Sequence, residues 1–492
     1  MTRYSKYDIR GTYLFIFFLL IAGHLFINTY VPNILINVLT ILALSFFTYF
    51  FYLHKYKYFE YLLIIYFVCH FSYAVNQGGG FILMSFLAVG FFYIIKKYNP
   101  FELGYSDRLT GFLIIVFLFH NLLGWIFIND TGIRNIGLGV VSLLGYVLMF
   151  RITSNLRLDK TRIRYFVYFT IILTLYSSIV IINNYFRIFQ VLSPMLPSTA
   201  RFGSNVQAGM MGWSELSGEH GLMTAILFST LLATKSSKLY LMKNTYLYIG
   251  LLGSVFNLLM SRSRSVIILL IVYYIVLGFY LFFVAGRKGT SKIKLFIGMI
   301  IILIIFNLIG GLIGTRYLVN RFESVNASKI TIESVLSGEA INRDYAFSFF
   351  YDRLNDRSWW IGYGWGSNYS NRVAWFVDPD TLRSGYHSLY FSLPMLFGWL
   401  GSIAFIGLFI ISLRRLFVLL RKNTEINFLN PFGLALFFMI IFFLINEYKI
   451  EALRAPHYFM IIWILLGMAN ATYFTYKIKS HENSLVSPIP SK

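Results

Sequence analysis

Acidic residues are scarce in this chain. It has 492 residues, with 20 Asp and Glu against 42 Lys and Arg, a formal net charge of +22. Charged residues of either sign make up only 13%, about half the usual share of a soluble domain. Cysteine is limited to Cys69. A single thiol excludes an intramolecular disulfide and any cysteine-based metal site. Almost no acid falls near the middle of an apolar run, where proton- or sodium-coupled transporters usually carry one. No small-x-small cleavage site follows the first apolar run, Tyr13 to Ile27, so it reads as an uncleaved span. No internal repeat is evident.

What is present is apolar. Hydrophobic residues reach 58%, aromatics 19%, and the mean hydropathy is +0.67. Runs of roughly 17–24 apolar residues recur along the chain, each long enough to cross about 30 Å of hydrocarbon as a helix. The expectation is an all-α, polytopic integral membrane protein forming a single transmembrane domain over 1–492. About fourteen transmembrane helices are expected, near 12–28, 33–53, 58–75, 80–95, 111–128, 134–150, 165–186, 218–234, 245–260, 265–285, 294–314, 387–413, 431–447 and 457–475. Two connections are long, at 187–217 and 315–386. Within the second, "INRDYAFSFFYDRL" spaces Tyr345, Phe349, Phe350 and Leu354 as an amphipathic helix lying at a membrane surface.

Charge sets the expected orientation. With both termini in the cytoplasm, the inner connections hold 27 Lys and Arg against 7 acids, and the outer ones 15 against 13. That split follows the positive-inside rule and accounts for the basic balance without a nucleic-acid partner. The outer bases are 13 Arg and only two Lys, Lys329 and Lys449. Arginine presents a planar, permanently charged fork that holds phosphate or carboxylate through two parallel hydrogen bonds. Two readings follow: recognition of an anionic, phosphate-bearing ligand, or pairing with the 13 outer acids. The stretch "SRSRS" poses the choice most sharply, because Arg262 and Arg264 stand in a tight outer hairpin between two spans. Snorkelling at the interface is the plainer use of such a pair.

Other outer features pose the same choice between a site and plain structure. "GYGWG" lacks the preceding strand and following helix of a nucleotide loop, and reads as a compact turn where Tyr363 and Trp365 can stack on sugar. "DPD" (Asp378, Pro379, Asp380) reads as a turn, so no metal is expected. His24, His70 and His120 fall inside spans as packing residues; His220, His387 and His457 sit at outer span ends. His387, where the long loop returns to the membrane, is placed to act as a base near neutral pH.

Several of these features together resemble the bacterial O-antigen ligase and polymerase superfamily. The resemblance covers roughly residues 200–410 and rests on "RFGSN", "SRSRS", "NRDYAFSFF", "IGYGWGSN" and "HSLYFSLPMLFGWLG", in that order. It implies glycan transfer from undecaprenyl diphosphate to a hydroxyl acceptor on the outer face of the bacterial inner membrane, with neither metal nor cofactor. It places Arg201, Arg264 (or Arg262) and His387 on functional positions, and Arg343 on the loop arginine. The Ser-Arg pair is duplicated here, and Ser388 stands where Asn is commoner. Arg262, Arg343, Glu219, Tyr363 and Trp365 are the expected diphosphate- or glycan-binding residues, with Glu219, beside His220, a reserve base. The leading expectation is a polymerase joining lipid-linked repeat units, working among membrane lipid with a chain-length regulator and a flippase. A ligase acting on lipid A-core is the near alternative, and a lipid-linked oligosaccharide flippase is the alternative from another class.

Overall fold

The structure is a computed structural model, and it describes residues 108–127, 133–154, 156, 158–186, 214–234, 241–261, 263–284, 298, 333, 357–365, 388–421, 428–448 and 456–486. The expected spans at 12–28, 33–53, 58–75 and 80–95 lie outside these residues, as do 294–314 apart from residue 298 and most of the two long connections.

Among the described residues the chain is all-helical, with no strand. The helices are α1 (Arg108–Phe127), α2 (Ile133–Ser154), α3 (Lys160–Phe186), α4 (Ser214–Thr234), α5 (Asn244–Met260), α6 (Arg264–Phe279, continued by a π turn Tyr280–Val284), α7 (Arg357–Ile361), α8 (Leu389–Arg421), α9 (Leu429–Asn446) and α10 (Pro456–Val486). Five stretches are long and apolar enough to cross a membrane: Arg108–Phe127, Ser265–Phe283, Ser392–Arg421, Leu429–Asn446 and Tyr458–Ile478. The molecule is a multi-pass membrane protein.

The side chains are distributed as a lipid solvent requires. Along α1, Phe112, Ile115, Phe119 and Ile126 are exposed, whereas Thr110, His120 and Asn121 are buried. On α3, Ile172 and Ile179 face out while Thr170, Thr174, Ser177 and Ser178 face in. A soluble helix has the reverse arrangement. Inside, small and polar residues join the helices, because lipid tails give apolar faces no reason to leave them. The Ser178 hydroxyl meets Asn257 Oδ1 at 2.8 Å, and Asn257 Nδ2 donates to the Thr174 carbonyl at 3.0 Å. Ser254 donates to Thr224 Oγ1 at 2.8 Å, and the Tyr273 hydroxyl meets Ser229 and Thr230 at 2.9 and 2.7 Å.

These contacts also fix relative direction. Ile171 and Ser178 lie beside Gly250 and Gly253 in that order, so α3 and α5 run parallel. Phe117 packs on Phe405, and Leu113 on Gly407, while Asn121 reaches Trp365 beside Phe397, so α1 and α8 are antiparallel. Tyr146, Phe150 and Thr153 meet Phe459, Trp463 and Gly467 in turn, so α2 and α10 run parallel. The starts of α4 and α8 and the end of α9 therefore come to one end of the bundle, together with the α5–α6 hairpin.

Candidate functional site

The first turn of α4 is the hub of this end. Gly218 gives the hairpin room: a Cβ there would crowd Ser261 Oγ and lie 3.2 Å from Val266 Cγ2. The missing side chain lets "SRSRS" seat directly on α4. The hairpin itself is hydroxyl-bonded. Ser261 Oγ donates to the Leu258 carbonyl at 2.7 Å, and the Ser263 and Ser265 hydroxyls are 3.2 Å apart. Arg264 opens α6, with its backbone in the first helical position. The Arg264 side chain and all of Arg262 lie outside the described residues, as do Arg201, Arg343 and His387.

Glu219, next along α4, is wholly buried, and the Asn446 and Tyr458 side chains lie against its carboxylate. Asn446 ends α9 and Tyr458 stands in the first turn of α10, so three elements converge on one acid. Glu447 follows Asn446 and is also fully buried. Its carbonyl accepts the Leu389 backbone N–H at 2.9 Å. That bond ties the C-terminal end of α9 to the start of α8, one residue past Ser388 and two past His387. Tyr390 adds a second tie, its hydroxyl donating to the Leu444 carbonyl at 2.8 Å. The structure thus brings together Glu219, His220, the arginine-bearing hairpin and the helix start that follows His387.

Tyr363 and Trp365 belong to a different assembly. The segment after α7 dips beside α8 where that helix breaks: Gly398 has φ 66° and ψ 172° within the run Leu389–Arg421. The break frees α8 carbonyls, and the inserted segment takes them. The Tyr363 N–H donates to the Met395 carbonyl at 2.7 Å, and the Gly364 N–H to the Leu396 carbonyl at 2.8 Å. Gly362 and Gly364 have φ of 82° and 80°, backbone that other residues rarely adopt. Trp365 donates its N–H to Asn121 Oδ1 at 2.9 Å, and its carbonyl accepts from Trp125 Nε1 at 2.8 Å. Its indole is buried and stacks on Phe459 and Phe397, with centroids 5.2 and 6.2 Å apart. Tyr363 is half-buried.

Sequence reading missed Asn446, Glu447, Tyr458 and Ser388 as parts of one cluster. Asn446 and Glu447 close the apolar run of α9, and nothing local distinguishes Glu447 from an ordinary loop acid. Among the described residues no group of three or more His, Cys, Asp or Glu is arranged to hold a metal ion. No family model and no curated protein sequence matches the chain.

Proposed function

We propose that the protein is a membrane glycosyltransferase of the polysaccharide polymerase kind. It transfers glycan from undecaprenyl diphosphate to a hydroxyl of another lipid-linked repeat unit, without metal or cofactor. The reaction lies on the outer face of the bacterial inner membrane, in a chain of about fourteen spans with both ends cytoplasmic. The loop 315–386 lies outside and completes the site. The chain-length regulator and the flippase are its expected partners.

The observation that carries this reading is the convergence at one bundle end of the "SRSRS" hairpin, Glu219 and the start of α8 just after His387. The chemistry needs such a convergence. As the glycosidic bond to the diphosphate breaks, charge develops on the leaving oxygens, and guanidinium groups at Arg201, Arg262 and Arg264 stabilise it. Arg343 holds the donor from the long loop. The acceptor hydroxyl loses its proton to His387, with Glu219 the second candidate. Of the two aromatic residues expected at the glycan, half-buried Tyr363 is the better placed, while Trp365 holds the inserted segment in the bundle.

The test is a double substitution, Arg262→Lys with Arg264→Lys, which keeps both charges and removes both forks. The variant should insert normally and lose most polymer in a complemented deletion strain. Wild-type polymer from the double variant excludes a diphosphate clamp at the hairpin. Ligase activity on lipid A-core is the second reading, favoured by the same residues and separated by the product left in the deletion strain.

A further inference from the structure

At the gathered end, buried hydrogen-bonding groups converge without meeting partners of good geometry among the described residues. Both carboxylate oxygens of Glu219 are in this state, and so are Oδ1 and Nδ2 of Asn446 and the hydroxyl of Ser388. The three residues are 0%, 1% and 2% exposed. They come from three different helix ends, which the contacts between their segments bring to one place. Asn446 lies against Glu219, and Leu389, next to Ser388, is bonded to Glu447, next to Asn446. Buried polar groups are met in the great majority of folded proteins, because leaving them unmet forfeits their hydration. Elsewhere in the bundle Asn257 is met by Ser178 and Thr174, and atoms such as Ser177 Oγ and Ser412 Oγ are unmet singly among the described residues, whereas here five unmet atoms fall on three residues of one bundle end.

The kind of atom left unmet identifies the ligand. Three are carboxyl or carboxamide oxygens, which chiefly accept; one is a hydroxyl, which can do either; one is an amide nitrogen, which donates. A phosphate brings acceptors and negative charge, whereas most of the unmet atoms are themselves acceptors. A sugar brings hydroxyl groups, each able to donate to the carboxylate and accept from the amide. Placed side by side, a carboxylate, a carboxamide and a serine can hold two neighbouring hydroxyls at once.

We infer that Glu219, Asn446 and Ser388, walled by Glu447 and Tyr458, form a hydroxyl-binding chamber for the acceptor sugar. That the sugar is the acceptor rests on the proposed glycosyl transfer; that the chamber takes hydroxyl groups does not. The inference divides the bundle end into two subsites with opposite demands. The arginine-bearing hairpin takes the anion, and the acid-and-amide chamber takes the hydroxyls. Gly218 packed on Ser261 makes the two adjacent. Asn446 and Tyr458, which the sequence motifs did not single out, thereby become acceptor-binding residues together with Ser388.

The experiment is thermal unfolding of the purified full-length protein in detergent. The probes are methyl glycosides of gluco, galacto, manno and N-acetylglucosamine configuration, with sodium chloride and choline chloride compared as salts. At concentrations well above half-saturation, at least one glycoside should raise the wild-type Tm by about 2 °C or more. Asn446→Leu should abolish that rise, and Glu219→Gln should weaken it. Without sugar, Asn446→Leu should melt at or above the wild-type temperature, because it removes an unmet amide. A lower melting temperature for Asn446→Leu overturns the inference in favour of a structural clasp. So does a wild-type Tm that no glycoside moves. Stabilisation by sodium over choline, lost in Glu219→Gln and unaccompanied by any sugar effect, overturns it in favour of a cation site. A sugar-induced rise alongside normal polymer from the double arginine variant would sink the diphosphate reading while leaving the chamber standing.

Discussion

Two assemblies hold α8, and they differ in how completely their polar groups are met. At the break near Gly398, the inserted segment is bonded on both sides: Tyr363 and Gly364 cap freed carbonyls, and Trp365 exchanges bonds with Asn121 and Trp125. At the start of α8, Leu389 and Tyr390 are bonded, but Ser388, Asn446 and Glu219 are not met with good geometry among the described residues. The first assembly is what a scaffold needs, since each unmet group would subtract from a marginal stability. The second retains bonding capacity that stability alone would not favour. Substitutions at the break should therefore act on folding, and substitutions at the start of α8 on activity.

The largest effect should come from Gly398→Val. Its φ of 66° is unfavourable for a β-branched residue, and a Cβ there would lie 2.7 Å from the Ile361 backbone. Little folded protein should survive detergent extraction, as judged by size-exclusion chromatography. A monodisperse Gly398→Val protein with wild-type melting would show that the inserted segment is not an anchor.

Next in size is His387→Ala, expected to leave a normally folded protein whose polymer-forming rate falls about 10²–10⁴-fold, the usual loss for a general base. His387→Gln keeps a hydrogen-bonding side chain and separates base from positioner. A near-normal rate for His387→Gln would make the histidine an orienting group and leave Glu219 as the base to test.

A smaller effect is expected from Asn121→Leu, which leaves the buried Trp365 N–H without its acceptor. That should cost roughly 1–3 kcal/mol and lower the Tm by several degrees without changing product in vivo. Unchanged melting would mean that the Asn121–Trp365 bond carries no weight in the fold. The smallest is Thr224→Val, which breaks one bond with Ser254. Interhelical hydrogen bonds in membranes average about 0.6 kcal/mol, so the shift should be near the limit of a melting measurement.

The elements most legible in the sequence are those set by local composition. The expected spans at 111–128, 245–260 and 431–447 coincide, to within a few residues, with helices Arg108–Phe127, Asn244–Met260 and Leu429–Asn446. Apolar run length decides them, and run length is local. The tight hairpin at Ser261–Ser265 was legible for the same reason. Trp365 was harder to place. "GYGWG" looks like an exposed aromatic turn, and its partners Asn121 and Trp125 stand some 240 residues earlier in the chain. No periodic pattern encodes that pairing. Asn446 and Glu447 were hidden differently: they sit where a span gives way to a loop, and only the packing of α4 against α9 turns them inward. Arg201, Arg343 and His387 lie outside the described residues, so their roles rest on the sequence motifs.

The account stands most directly on what accumulates when the gene is deleted. Glycan from the deletion strain would be resolved by size on gels and assigned by mass spectrometry as lipid-linked or acceptor-linked. A polymerase predicts an acceptor lipid bearing one short repeat and no ladder of longer chains, with the ladder restored by the wild-type gene. Bare acceptor with long polymer still on its lipid carrier would contradict polymerisation and establish ligation. Unmoved lipid-linked repeat on the cytoplasmic face would contradict both and identify a flippase.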